Sequence, residues 1–457
     1  MAMSIQQYLA EHREQHLSQL LDFLRIPSVS TSSKHKPDVR KAAEWLADTM
    51  KQAGIENVKI METEGHPVVY GDWLHAPGKP TALVYGHYDV QPAEPLDLWE
   101  TPPFEPEIRD NKIFARGATD DKAQLYLHIK AVEAYLNAEG SLPVNIKFCF
   151  EGEEEIASPN LSPFLEKHRE MLKAEMIVIS DGPMYSREQP SICIGLRGLC
   201  GFEIEVKGPR SDLHSGLYGG GVANPITALI QLVASMRNED GSIAVEGFYD
   251  HVSAPSEAIR KSYEALQDNE QKTADELGVP KLYGEAGYSF MERTTLRPTL
   301  ELNGILGGYQ GEGIKTVLPS SALAKMSCRL VDQQDPDEIF DLIEAHIEKH
   351  KPEGVTVQLI RRDRGKPYTI APDHPYIEAA AKAYEAGFGQ KPVFIQSGGS
   401  IPIVEVFSRL LNAPVVMLDL GLPGENMHAP NEHFHLENYD KGLITICSFW
   451  DEVHSQG

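Results

Sequence analysis

Apolar residues recur at helical spacing over Ser4 to Leu24, where Leu9, Leu17, Leu20, Leu21 and Leu24 share a stripe closed by Ile26-Pro27. A second stripe, Ala42, Trp45, Leu46 and Met50, predicts a helix from about Asp38 to Ala53, stopped by Gly54. Asn57–Glu62 and Val68–Trp73 then read as strands. Thr81 to Tyr85 is a continuous apolar run, a buried strand broken at Gly86. Pro92 to Pro106 is a proline-rich loop carrying Trp99 and Phe104. From Lys122 to about Ala138 the apolar residues Leu125, Leu127, Ile129, Val132 and Leu136 predict a helix, and Val144–Phe150 and Met176–Ser180 read as further buried strands. Each of these buried strands runs straight into a loop rich in acids or histidine. Alternation of such strands with helices predicts a doubly wound α/β sheet, whose ligands gather at the C-terminal ends of the strands.

The texture changes after Arg197. Phe202–Val206 alternates like a half-exposed strand, Asn224–Arg237 is helical, and Thr299–Leu306 and Ala322–Val331 are strands. Pro336–Lys349 is a helix and Val355–Arg361 a strand. The order β-α-β-β-α-β is that of a ferredoxin-like α+β domain. It carries an extra segment, Glu239 to Pro298, with helical character over Ser256–Leu277. From Pro375 the α/β texture returns in Glu378–Gly387, Val404–Leu411 and Val415–Leu418. The expected division is therefore 1–197 and 367–457 as one domain, with 198–366 inserted into it.

A chain of 457 residues exceeds one ordinary core, consistent with that division. Its 67 acidic and 42 basic residues give a net charge of −25. Such a surface argues against nucleic acid or an anionic membrane as partner. The five cysteines are odd in number, widely spaced and free of C-x-x-C pairs, as expected for buried free thiols in a reducing compartment. Met1 to Arg25 mixes Glu, His and Arg among its leucines and has no signal-peptide pattern. A cytoplasmic location is expected.

The polar loops hold the candidate chemistry. His87 and Asp89, two apart in extended chain, leave the backbone on the same side. Asp120, Glu155, Asp181 and His428 likewise follow apolar runs next to Gly or Pro turns. Taken singly, each has an ordinary explanation: a charge run as a solvated face, Asp-Gly as a turn, Asp before a helix as an N-cap. Those explanations do not account for their common position at strand ends of one domain. Two imidazoles and three carboxylates form a ligand set for borderline divalent ions such as zinc or manganese, and they suffice for two ions about 3.5 Å apart sharing one carboxylate. Glu154 is suited to take a proton from metal-bound water, and Asp89 to orient His87.

Five segments, GHYDVQP (86–92), ATDDK (118–122), EGEEE (151–155), SDGP (180–183) and NMHAPNE (426–432), resemble in order the metal motifs of the aminoacylase/carnosinase family of dinuclear metallopeptidases. The resemblance spans essentially the whole chain, and the carnosinase-like cytosolic dipeptidases are most similar. It implies a zinc-peptidase-like catalytic domain with an inserted lid or dimerisation domain, two zinc ions per chain with manganese as the alternative, and a homodimer acting on small peptides. Asp120 would bridge the ions, His87 and Asp181 completing one site, Glu155 and His428 the other. Glu154 would be the general base, Asp89 the companion of His87, and Asp120-Asp121 a cis peptide. His214, in Asp212-Leu213-His214-Ser215-Gly216, resembles the oxyanion-stabilising histidine that one subunit lends to its partner. Thr316, Arg329 and Ser400, the last in Gly398-Gly399-Ser400, resemble substrate contacts, with Arg329 suited to a free carboxylate. One stretch departs: Arg362 to Tyr368 lacks the histidine of the carnosinase-like Gly-Lys-Pro loop, which argues against carnosine as substrate. The expected activity is dipeptide hydrolysis. An N-acyl amino acid amidohydrolase, and a catalytically dead metal-binding scaffold, are the alternatives.

Overall fold

The structure, a computed structural model, describes residues 3–266, 269–331, 333–399 and 401–455. The chain forms two compact units. One comprises Met1–Ile194, Ile370–Ile395 and Val406–Gly457; the other comprises Gly195–Thr369 and Gln396–Glu405.

In the first unit a six-stranded mixed sheet runs in the order Glu56–Met61, Val68–Trp73, Asn145–Glu151, Thr81–His87, Met176–Ile179, Val415–Met417. Val68–Trp73 runs antiparallel to both of its neighbours, and from Asn145–Glu151 onward all neighbours are parallel. Thr81–His87 is central, so it is hydrogen-bonded on both edges and its apolar residues are fully buried, as a continuous Ala-Leu-Val-Tyr run requires. The crossover from this strand to Asn145–Glu151 carries the helix Lys122–Ala138, which packs on Thr81–His87 and is packed in turn by Ile5–Leu24 and Leu436–His454. That helix is buried on nearly every side, its polar residues Lys122, Gln124, His128, Lys130 and Glu133 included. Ser4 caps the Ile5–Leu24 helix through a capping box with Gln7.

The second unit contains a four-stranded antiparallel sheet in the order Thr299–Gly307, Ser321–Leu330, Gly198–Lys207, Thr356–Gly365. With Pro225–Ser235 and Pro336–His350 packed against it, this is the expected ferredoxin-like β-α-β-β-α-β arrangement. The helix-facing residues Cys200, Phe202, Ile204, Val206, Ala324, Met326 and Cys328 alternate with more exposed ones, so only one face of the sheet is covered by helices. The segment 239–298 adds the helices Glu257–Ala265, Glu270–Leu277 and Phe290–Thr295 before the edge strand. All five cysteines are buried and free. Among the described residues no helix is long and apolar enough to cross a membrane.

Candidate metal centre

The three central strands end side by side, and the site is built on their C-terminal ends. His87 closes Thr81–His87 with its side chain fully buried. Its backbone N–H donates to Asp121 Oδ2 at 3.1 Å. A Cβ on the preceding Gly86 would stand 2.7 Å from that same oxygen, so only glycine lets the strand pass so close to the helix N-terminus. The ring's Nδ1 faces the Asp89 carbonyl oxygen at 3.1 Å and the Asp89 carboxylate at 3.4 Å. Nε2 therefore points the other way, 2.9 Å from Asp120 Oδ1 and 3.4 Å from Asp181 Oδ1.

Asp120 sits in a tight loop before the helix, and the Asp120-Asp121 peptide is cis. What holds that loop is Glu432, a fully buried carboxylate. Its Oε1 accepts from the N–H groups of Thr119 and Asp120 at 2.9 and 3.2 Å, and its Oε2 from Gly117 N–H at 2.9 Å and Arg116 Nη1 at 2.7 Å. Arg116 also donates to the Pro92 carbonyl at 3.0 Å. One buried ion pair thus ties together the loops that carry His87, Asp120 and His428. So held, Asp120 turns Oδ1 toward His87, and its Oδ2 lies 2.9 Å from His428 Nε2.

His428 adopts φ +58 in its loop and leaves about half of its side chain exposed, with Nε2 3.3 Å from Glu155 Oε2. The loop is pinned by Glu425, which accepts from Leu422 N–H, the Thr119 hydroxyl and the His435 ring at 2.8, 2.6 and 2.7 Å. Glu154 and Glu155 are fixed through their backbone, since both N–H groups donate to the Asp89 carboxylate at 3.2 Å. Gln91 Nε2 donates to Glu155 Oε2 at 2.7 Å. The rest of the acidic run is structural: Glu151 accepts from the Tyr85 and Ser158 hydroxyls, and Glu153 from His66 N–H and the Asn160 amide.

Two trios result, His87–Asp120–Asp181 and Asp120–Glu155–His428, each with ligand atoms within 4.8 Å of one another, and Asp120 belongs to both. The electrostatics fit divalent cations. Burial and the neighbouring charges of Asp120 and Glu155 push the Asp181 carboxyl up to about 6. Burial, with Asp181, Glu155 and Asp120 adding to it, pushes Glu154 up to about 9. Hydrogen bonds donated to Asp120 and Glu155 raise the His428 imidazole to about 10. Although burial opposes it, Asp181, Asp120 and Asp89 also hold the His87 imidazole well above its ordinary value. A field that favours protons this strongly equally favours cations between the same atoms, and the mixed imidazole and carboxylate donors suit zinc-like ions.

The remaining candidates lie in the second unit. His214 and Thr316 are neighbours on a two-stranded ribbon, Leu213–His214 against Val317–Leu318. Both are exposed, and Ser215 N–H donates to the Thr316 carbonyl at 3.1 Å. The His214 ring accepts from Gly216 N–H at Nδ1, 3.0 Å, which leaves the ring proton on Nε2. Arg329 lies on the helix-free face of the sheet. Ser400 lies outside the described residues. Reasoning from sequence missed Arg116, Glu425 and Gln91 altogether, and it read Glu432 only as the last letter of a motif. The signal for Glu432 was its acidity inside a Pro-Asn loop leading into the short strand His433–His435.

Comparison with known proteins gives the family. Residues 83–452 match the model of peptidase family M20/M25/M40, and the chain belongs to that family. It is 31% identical over 465 residues to the Cys-Gly metallodipeptidase dug1 of Schizosaccharomyces pombe, covering 97% of this chain and 96% of the relative. It is 30% identical to the human Beta-Ala-His dipeptidase, covering 98% and 92%. Among solved structures, the M20 family metallo-carboxypeptidase Sso-CP2 of Sulfolobus solfataricus superposes with a TM-score of 0.82 at 30% identity, covering 96% and 99%.

The Glu432 clamp is testable without reference to activity. Glu432→Gln keeps the shape but must turn an NH2 group toward either the Thr119 and Asp120 N–H pair or Arg116 and Gly117. Breaking a buried pair on one side costs about 3–5 kcal/mol. Urea unfolding is expected to register a loss of that order; a midpoint unchanged from wild type would refute the clamp.

Proposed function

We propose that the chain is a metal-dependent dipeptidase that hydrolyses the peptide bond of dipeptides bearing a free C-terminal carboxylate. The observation that carries this reading is Asp120, which presents one carboxylate oxygen to each of two ligand trios and lies within the field of the half-buried acid Glu154. His87 and Asp181 would hold one divalent ion, Glu155 and His428 the other, zinc being proposed with manganese as the alternative. When bound, such ions polarise a carbonyl and lower the pKa of water.

Every other role falls to side chains of this chain. Glu154 is the proton carrier: a carboxylate next to His87, Asp181, Glu155 and Asp120 but in neither trio, it is placed to take a proton from the attacking water and return it to the leaving amine. Asp89 holds the tautomer of His87 and the backbone of Glu154 together. His214, with its proton on Nε2, is the donor to the carbonyl oxygen as negative charge develops there. Arg329 and Thr316 bind substrate, and Ser400 is proposed beside them on resemblance alone.

The working form is proposed to be a homodimer. The edge strand Thr299–Gly307 exposes Leu302, Ile305 and Leu306, and the His214 ribbon is flanked by exposed Leu217, Tyr218 and Ile314. An apolar edge strand is the kind of surface that a two-fold pairing covers. A cytoplasmic location is proposed on the strength of five free thiols and an acidic surface. Cys-Gly-like dipeptides are favoured over carnosine, because the stretch Arg362 to Tyr368 contains no histidine.

A panel of dipeptides and N-acyl amino acids, assayed with zinc and with manganese, tests the activity. Dipeptide turnover is expected, and Glu154→Gln should lower kcat by about 10²–10⁴-fold with metal content retained. Cleavage of N-acyl amino acids alone points to the acylase, and no cleavage at all to a scaffold. Loss of metal from Glu154→Gln would make Glu154 a ligand instead of the base.

The two trios differ in what one substitution removes. After dialysis, Asp120→Ala is expected to have lost both ions and His428→Ala mainly one, measured by elemental analysis. Equal losses would rule out a shared ligand.

Subunit mixing addresses His214. His214→Ala is expected to lower kcat by about 10²-fold with metal retained. Hybrids of His214→Ala with Glu154→Gln protomers should recover activity, because one active site then receives both intact groups. No recovery after verified exchange would confine His214 to its own chain.

A further inference from the structure

Arg197 stands one residue before the strand Gly198–Lys207. The strand register sets Arg329 directly opposite Leu199. On a pleated sheet residues two apart share a face, so Arg197 and Arg329 are diagonal neighbours on the face that the helices leave uncovered. Both line the same cavity of about 400 Å³, together with Ser327, Tyr249 and Glu301.

Arg197 is held in a fixed orientation. Its Nε donates to the Gly398 carbonyl at 2.9 Å, its Nη1 to the Arg297 carbonyl at 3.2 Å, and its backbone N–H to the Ser397 carbonyl at 3.3 Å. A Cβ on Gly398 would stand 2.3 Å from the Thr294 carbonyl oxygen and 3.1 Å from Arg197 Nη2, so this loop lies flush on the guanidinium only because residue 398 is glycine. Arg297 is itself clamped by Glu285 at 2.9 and 2.7 Å and stacked on Tyr288. The segment 239–298, whose role the sequence left open, thus supplies the support behind Arg197.

We propose that Arg197 forms, with Arg329, a two-guanidinium seat for the free carboxylate of the peptide. This rests on the dipeptidase reading and adds Arg197 to it as the pre-set half of the seat. Two planar forks converging on one cavity wall match the two oxygens of a carboxylate better than a single side chain does. Burial first, and then the nearby Arg329, bring the Arg197 guanidinium down to about 10. An anion between them lowers their repulsion. Because carbonyl oxygens of Gly398 and Arg297 already orient the group, little side-chain freedom is lost when substrate binds.

The test uses full-length, metal-loaded enzyme carrying Arg197→Ala, Arg197→Gln or Arg197→Lys. For Ala and Gln the expected result is a rise in dipeptide KM of about 10- to 100-fold with kcat within about threefold, the signature of lost ground-state binding. Metal content should equal that of wild type, and Lys should recover part of the loss. A fall in kcat at unchanged KM, a loss of metal, or no effect overturns the proposal. If Ala fails to fold, the Gln and Lys variants decide it. Should wild type cleave no dipeptide, the dipeptidase reading fails on its own. The seat is then judged by calorimetric titration of leucine against leucinamide: a preference for leucine in wild type that Arg197→Gln abolishes supports it, and equal binding of both by wild type refutes it.

Discussion

The site depends on the containment of like charge. Asp89, Asp120, Asp121, Glu151, Asp181, Asp419 and Glu432 are all buried or nearly so at the ends of three strands, with Glu154 and Glu155 beside them. Burying one unpaired carboxylate is costly, and burying several together is tolerable only where each meets N–H donors or cations. The Arg116–Glu432 pair answers part of this. It gives one carboxylate a full set of donors and uses it to hold the backbone of the next. Asp89 does the same for Glu154 and Glu155, and Asp121 for His87. Carboxylates held by main-chain N–H groups act here as scaffolding, and their fixed geometry leaves Asp120, Asp181, Glu154 and Glu155 facing one another. Burial and the neighbouring acids raise the Asp181 and Glu154 carboxyls in consequence.

Much of the site was legible in the sequence because the central strands are buried on both faces. A strand of that kind has no polar residue to spare, so Leu83-Val84-Tyr85 ending in Gly86-His87 is an abrupt change that marks the strand end. The same holds for Phe148 to Glu151 and Ile177 to Asp181. The helix Lys122–Ala138 was equally clear, since both of its bounds follow from an apolar run starting at an acidic turn. The ferredoxin-like sheet was legible from order alone, once helices and alternating strands could be told apart.

What escaped the sequence was the network behind the ligands. Glu432 and Arg116 are far apart in the chain, and neither carries a local pattern that announces a buried ion pair. The helix Leu436–His454 was also missed, although Tyr439, Leu443, Ile446, Phe449, Trp450 and Val453 fall at helical spacing. Its apolar stripe is interrupted by polar residues that turn out to be useful: Asn438 donates to the Leu420 carbonyl from inside the core. The segment 239–298 resisted for a different reason. Its short helices bury few residues each, so periodicity has too few turns in which to declare itself, and its organisation rests on long-range pairs such as Arg297 with Glu285.

The same device recurs in the second unit with the sign reversed. At the metal centre, backbone N–H groups fix carboxylates so that negative charge is concentrated where cations are to bind. Around Arg197, backbone carbonyls of Gly398 and Arg297 fix a guanidinium so that positive charge is concentrated where a carboxylate is to bind. In both places main-chain groups orient a charged side chain, and the orientation is in place before any ligand arrives. Glycines are needed at both places, Gly86 against Asp121 and Gly398 against Arg197, because the backbone has to come closer to the charged group than a Cβ would allow.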